Sequence, residues 1–564
     1  MQGISELINN KIQEWKVPGV GIAIVQDSQI IVCEGFGMRN VEKDLKVTPK
    51  TVFAIVSCTK SFTTMALGIL VDRGQLSWDK PVKNYLPNFK LFDPYATDHI
   101  TPRDLVTHRC GLPGHDAIWS CTPFTRQEIF ERLQYLEPNH ELRTVFQYQN
   151  LMYVVAGYLV EQISNSSWEE FVQQEILNPL SMENSNFSVL ESQTTDDFAL
   201  PYRENNDDVK EIPFRNIDAI GPAGSINSNV TDMARWLLLH LNQGKYDDKQ
   251  IISPSNLLQM HTPQIALPSQ FEYPEVLNSC YGLGWINFVY RGHNLIQHGG
   301  GIDGFSALCT LMPQYKIGIV ILTNLEATPL PSILTYNICD RLLDLNEVNW
   351  NERLKNKLYP AKEAVAKIKE VHILNRKTGT SISHSLEDYV GDFENPAYGK
   401  ISIIIENDGL IANLNNLIVY KLNHYHYDTF EAKSEIFDAY QLLSFFTDSQ
   451  GNINSLSFVL EPAIKDILFS RIVQQKMKEA SFLGQFVGEY ELSNIILTIS
   501  FKQDKLVLSA PNQPDYDLLP YTETDLKFNA LSGFSIKFLP NETGVFTEAL
   551  ITQPNGVFNV KKRT

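Results

Sequence analysis

Strand-forming sequence sits at both ends of the stretch from Ile4 to Leu345, and helix-forming sequence fills the space between. Ile4 to Trp15 carries Leu7, Ile8, Ile12 and Trp15 on one helical face and is stopped by Val17-Pro18-Gly19. Strands are expected at Val20–Val25 and Gln29–Gly35, joined by a tight turn at Gln26-Asp27-Ser28. The strand pattern returns only at Phe305–Met312 and Ile317–Thr323, and a helix over Ser332–Leu345 closes the segment. From Ser57 to about Gln243 the chain reads as helices and long loops. The two ends are therefore expected to pair into one antiparallel sheet. The result is an α+β protein whose first part is an α/β sandwich with a helical insertion.

Ser57-Cys58-Thr59-Lys60 opens the helical run Ser57 to Gly74, backed by Phe62, Met65, Ala66, Ile69 and Leu70 at helical spacing. A Ser and a Lys three apart share a helix face, so the amine lies beside the hydroxyl. A hydroxyl at neutral pH attacks a carbonyl only when a neighbouring base takes its proton. The first turn of a helix, with unpaired N–H groups, favours the negative charge that develops. The alternative is a plain helix start, with Ser57 as a cap and Lys60 in solvent.

Two further groupings follow. Tyr148-Gln149-Asn150 precedes the helical pattern Leu151, Val154, Val155, Tyr158, Leu159, Ile163. His298-Gly299-Gly300-Gly301 lies between an extended run ending Leu295-Ile296 and the strand at Phe305. Glycines at a strand edge let a substrate backbone approach and leave N–H donors open. Ser-x-x-Lys, then Tyr-x-Asn, then a cation followed by glycines is the order found in penicillin-binding proteins and class C β-lactamases, and the chain resembles that serine-hydrolase superfamily from about Ile4 to Leu345. Leu105 to Pro113, Gly221-Pro222-Ala223-Gly224-Ser225 and Tyr281-Gly282-Leu283-Gly284-Trp285 carry the same likeness.

The resemblance implies a β-lactamase/transpeptidase-like fold and a division of labour. Ser57 is the nucleophile, while Lys60 and Tyr148 move the proton. Asn150, His298, Gly299 and Gly300 meet the substrate, and the amides of Ser57 and Gly301 form the oxyanion hole. Asn150 as a helix cap and His298 as a core histidine are the alternatives. His298 stands where the best-known relatives have the Lys of Lys-Thr-Gly, which weighs against β-lactamase activity and predicts a rate dependence near the ordinary imidazole value, about 6.5. A literal Lys377-Thr378-Gly379 follows a charged helical stretch, lacks a following strand pair, and is read as a decoy. His108, His115 and Asp116 sit together in a turn-rich stretch and read as loop-structuring rather than metal-binding. No metal or cofactor is expected.

At 564 residues the chain needs two or three domains. The catalytic domain is expected over 1–348 and a linker over 349–384. Beyond it the texture becomes short alternating strands and turns such as Asn407-Asp408-Gly409 and Pro554-Asn555-Gly556. Tyr389-Val390-Gly391-Asp392-Phe393-Glu394 matches Phe486-Val487-Gly488-Glu489-Tyr490-Glu491, so two small antiparallel β-barrels are expected, over 385–475 and 482–564. Some superfamily peptidases, D-aminopeptidases among them, carry similar lipocalin-like barrels that narrow the active-site entrance.

A formal charge of −18 argues against nucleic acid as a partner. No apolar run reaches the roughly 18 residues a membrane span requires. Seven scattered cysteines without a spacing pattern fit a reducing compartment. The start Met1-Gln2-Gly3-Ile4-Ser5-Glu6 has no leader character. Cytoplasmic residence is expected, or a periplasmic or secreted one if a leader is removed. The function these readings imply is cleavage of an amide or ester in a small-molecule or short-peptide substrate through a Ser57 acyl-enzyme, with peptidase or aminopeptidase-like activity foremost. Carboxylesterase, weak β-lactamase and a non-catalytic scaffold binding peptide or cell-wall fragments are the alternatives. The oligomeric state is not legible.

Overall fold

The computed structural model describes residues 3–205, 208–268, 273–434, 441–473, 475–503, 505–529, 531 and 533–563. Met1 and Gln2 lie outside the described residues. The chain divides into two compact units, Met1–Val371 with Glu461–Lys465, and His372–Leu460 with Asp466–Thr564.

In the first unit, helix α1 (Ile4–Glu14) leads into β1 (Gly19–Gln26), β2 (Gln29–Asn40) and the two-residue β3 (Leu45–Lys46). Asp27 and Ser28, at the tip of the β1–β2 hairpin, both take positive φ, as a tight twisted turn requires. Three helices matter most in the long middle: α2 (Thr59–Asp72), α3 (Leu151–Ser164) and α4 (Val230–Leu241). Then come β4 (Ile265–Ala266), β5 (Val276–Tyr281), β6 (Ile286–Tyr290), β7 (His293–Ile302), β8 (Phe305–Met312), β9 (Ile317–Thr323) and helix α5 (Leu330–Leu342). The sheet order is β4-β5-β6-β7-β8-β9-β1-β2-β3. The two sequence ends do pair: β1 runs antiparallel to β9, from Val20 opposite Thr323 to Gln26 opposite Ile317.

Seven of the eight residues of β1 and all of β9 are buried, because both sheet faces are covered. On one face Ile22, Ile24, Ile319 and Ile321 pack with Ile4 and Ile8 of α1 and with Leu330, Leu334 and Ile338 of α5. On the other, Gly21 and Gly318 lie under Val230 and Leu237 of α4. The Phe62 ring of α2 stacks on Trp236 of α4, centroids 3.7 Å apart. Every residue from Thr59 to Leu70 is buried, so α2 is sheathed by helices along its body, and its leading turn abuts β7. Most of the stretch expected as a linker over 349–384 forms one helix, Trp350–Asn375.

The second unit holds two closed barrels of eight antiparallel strands each, connected in sequence order. Closure pairs the first strand of each with its last, Asp392 opposite Ile472 and Tyr490 opposite Lys562, leaving no open sheet edge. The repeated glycine has the same use twice. A β-carbon on Gly391 would meet Arg471 at 2.3 Å, and one on Gly488 would meet Lys562 at 2.5 Å. Each barrel thus passes a basic side chain across its seam. Among the described residues no helix is long and apolar enough to cross a membrane, and all seven cysteines are free.

Candidate active site

A short 3-10 turn, Val56–Cys58, precedes α2, and no side chain caps either element. Ser57 therefore sits in a turn whose N–H groups no capping side chain claims. Val56 holds φ 48, a costly conformation for a β-branched residue and one that marks a constrained turn. The turn is fixed from several sides. Ile55 N–H donates to Ile226 O at 3.1 Å, and Cys58 Sγ donates to His298 O at 3.2 Å. Gly300 is pressed so close that a β-carbon on it would lie 3.0 Å from Ser57 N.

Lys60 is wholly buried. Its Nζ donates to Ser57 Oγ at 3.1 Å, Asn150 Oδ1 at 2.7 Å and the Ala223 carbonyl at 2.9 Å. These three acceptors match the three hydrogens of an ammonium. Burial pushes the amine down to about 7, against a smaller upward pull from the Asp116 carboxylate. The Gly221–Ser225 stretch supplies the Ala223 carbonyl and anchors Thr63 through Pro222 O at 2.6 Å. Gly284, at φ 79, lies against Thr64 and the Lys60 carbonyl, where a β-carbon would not fit.

Tyr148 and Asn150 point the same way from an irregular segment, and Gln149 between them points inward. The Tyr148 phenol stands beside the Ser57 hydroxyl, and burial raises it well above the ordinary phenol range. Its ring centroid is 4.9 Å from Lys60 Nζ, although 40% of the residue remains open to solvent. Asn150 does not cap α3 with its side chain; Gln149 Oε1 instead accepts the Met152 N–H at 2.9 Å. The Asn150 amide is thereby free to accept from Lys60 and to donate to Asp116 Oδ1 at 3.2 Å.

His298 lies inside β7, which runs unbroken through Gly299, Gly300 and Gly301, paired with Leu308, Ala307 and Ser306 of β8. The imidazole is 2% exposed. Nδ1 donates to Gly299 O at 2.7 Å and Nε2 accepts from the Tyr281 hydroxyl at 2.9 Å. Burial, then the charge of Lys60, pushes it down to about 3. This differs from a titration near the ordinary value: both ring nitrogens are already committed, so the neutral form is the one the site holds. Gly301 has no heavy atom within 4 Å of a would-be β-carbon and faces open space.

The sequence could not identify Ala223, Tyr281 or Asp116 as part of this cluster. The first acts through a backbone carbonyl, and the others reach it only through tertiary packing. Lys377-Thr378-Gly379 lies in a turn after the Trp350–Asn375 helix, outside any strand. His115 bonds Glu137 O at 3.0 Å, and no group of three or more metal-ligating side chains occurs among the described residues.

A mixed fold of this kind, with a Ser–Lys pair at the start of its central helix and a glycine-rich strand beside it, defines the superfamily of penicillin-binding proteins and class C β-lactamases. Residues 4–338 match the family described as Beta-lactamase, and the chain belongs to that family of serine hydrolases. Residues 375–471 match a domain of unknown function (DUF3471). Unguisins hydrolase ungD' of Aspergillus campestris (strain IBT 28561) is 26% identical over 425 residues, covering 72% of this chain and 78% of its own length. Protein flp of Staphylococcus aureus (strain N315) is 26% identical over 341 residues, 59% of this chain and 65% of its own length. The octameric penicillin-binding protein homologue from Pyrococcus abyssi has the same fold, with a TM-score of 0.55 at 24% identity over 83% of this chain and 100% of its own.

Proposed function

We propose that this hydrolase cleaves the amide bond of small peptide substrates through an acyl-enzyme on Ser57. The observation that carries the reading is the 3.1 Å approach of Lys60 Nζ, itself fully buried, to Ser57 Oγ. An amine near 7 is partly neutral at neutral pH. In that form Lys60 keeps two N–H bonds, to Asn150 and Ala223, and turns its lone pair to Ser57. Ser57 Oγ then attacks the carbonyl carbon as its proton passes to Lys60. Tyr148, protonated because its phenol is raised, gives its proton to the departing nitrogen and recovers one from Lys60. The N–H groups of Ser57 and Gly301 hold the oxyanion, and Asn150 with the Gly299–Gly301 edge holds the substrate. Water then releases the acid.

Two fungal relatives bear the name unguisins hydrolase, which supports hydrolysis as the chemistry. A neutral His298 and a side-chain-free Gly299 offer no fixed cation or hydroxyl for a substrate carboxylate, which favours amides over β-lactams. The test is the purified protein against D- and L-aminoacyl amides, short-chain esters and a chromogenic cephalosporin, beside Ser57→Ala. Turnover of amides, with turnover and fluorophosphonate labelling both lost in Ser57→Ala, is the expected result. Labelling retained in Ser57→Ala would remove the assignment.

A further inference from the structure

Tyr148 belongs to no helix or strand, so no ladder of backbone bonds fixes it. A group that must hand on a proton needs placement to within a fraction of an ångström, and a loop supplies that only when something grips it. One residue does so from both sides. The N–H of Gln147 donates to the His108 carbonyl at 2.8 Å, and the N–H of Gln149 donates to His108 Nδ1 at 3.2 Å. The N–H groups of the residues on either side of Tyr148 thus both end on His108. The imidazole also packs on the Tyr148 ring, centroids 4.2 Å apart and inclined by 34°.

We propose that His108 is a positioning residue that sets the Tyr148 phenol beside Ser57 by holding the backbone on both sides of it. The inference rests on the Ser57 acyl-enzyme reading. Three independent features support it. His108 takes φ 56, a left-handed conformation that turns its carbonyl and its ring toward the same segment and that His, Asn and Asp tolerate best. It is 0% exposed, and its Nε2 is buried with no hydrogen-bond partner among the described residues. A ring needed for packing alone would be better served by phenylalanine, which leaves no polar atom stranded. What histidine adds is the Nδ1 acceptor. The loop is also clamped: buried Asp104 accepts from Arg109 Nε and Arg143 Nη2, each at 2.7 Å, and Arg143 N–H donates to Arg109 O at 2.6 Å. His108 is thereby held in a frame rather than drifting with the segment it grips.

The experiment compares wild type, His108→Phe and His108→Asn by the rate of fluorophosphonate labelling, by kcat and KM, and by melting temperature. Phenylalanine keeps a ring and removes the acceptor. Asparagine keeps an acceptor one bond from Cγ and the left-handed φ while removing the ring. His108→Phe should label at least tenfold more slowly, with kcat falling in parallel and KM within about threefold of wild type. His108→Asn should recover to within about threefold. His108→Leu, branched like asparagine but without an acceptor, repeats the comparison if the phenylalanine variant does not fold. Unchanged labelling in a folded acceptor-free variant would overturn the proposal. So would a folded His108→Asn that labels more than tenfold slowly, or losses in both variants that merely follow melting temperature. A wild type that does not label at all would instead defeat the Ser57 reading, and this inference with it.

Discussion

Gly300 and Ile55 approach so closely that a β-carbon on the glycine would stand 2.3 Å from the Ile55 carbonyl oxygen. The glycine strand and the nucleophile turn are therefore set against each other by contact, with Ser57 N only 3.0 Å from the same point. Gly300→Ala should push the two apart. A methyl group forced against backbone typically costs about 1–3 kcal/mol, and here it would also widen the oxyanion site. Calorimetry should report a lower melting temperature, with labelling slowed tenfold or more. Gly301→Ala meets no atom within 4 Å, so its melting temperature should stay within about 2 °C of wild type.

Lys60 sets the pH dependence. Its amine is pushed down to about 7 by burial, and the neutral form is the one that accepts the Ser57 proton. kcat/KM should thus fall about tenfold per unit as pH drops below 7 and level off above it. His298, pushed down to about 3, stays neutral across this range. The same limb should therefore survive in His298→Gln. A limb that vanished in that variant would return the titration to the imidazole.

Much of this arrangement was legible beforehand because it rests on local pattern. The apolar runs Val20–Val25 and Ile317–Thr323 each had a hairpin neighbour on one edge and the other edge left to pair, and the helical spacing behind Ser57 put Lys60 on its face. Tyr148 and Asn150 were placed together just before a helix start. The rest depends on long-range packing. Burial makes His298 a neutral, doubly bonded ring where its neighbours in sequence suggested a cation. The three glycines after it read as a strand edge, yet they continue the ladder, and of the three it is Gly300 whose side-chain space is taken by Ile55 and Ser57. The carbonyl of Ala223 has no side-chain chemistry to announce it. Asn150 escaped the capping role its position suggested because Gln149 performs it.

Asp116 tunes the lysine. Its carboxylate accepts from Asn150 Nδ2 at 3.2 Å and pulls the Lys60 amine upward against the larger effect of burial. Asp116→Asn removes that pull while keeping a group of the same shape. The rising limb of kcat/KM should move to lower pH, by a fraction of a unit to about one unit, as expected for a nearby but solvent-reached charge. A shift to higher pH would mean that Asp116 acts on something other than the lysine.

Tyr148→Phe separates proton delivery from packing. The phenylalanine ring keeps the contact with His108 and the approach to Lys60, so folding and substrate binding should change little. What disappears is the hydroxyl beside Ser57, and with it the proton for the departing group. An amine cannot leave without that proton, whereas a nitrophenolate can. Amide turnover should therefore fall by about 100-fold or more, within the usual span of general acid catalysis, while hydrolysis of a nitrophenyl ester falls only by about tenfold, the share owed to orienting the Ser57 hydroxyl. Equal losses on both substrates would place the defect in the activation of Ser57 itself, and would assign the phenol to the first proton transfer rather than the second.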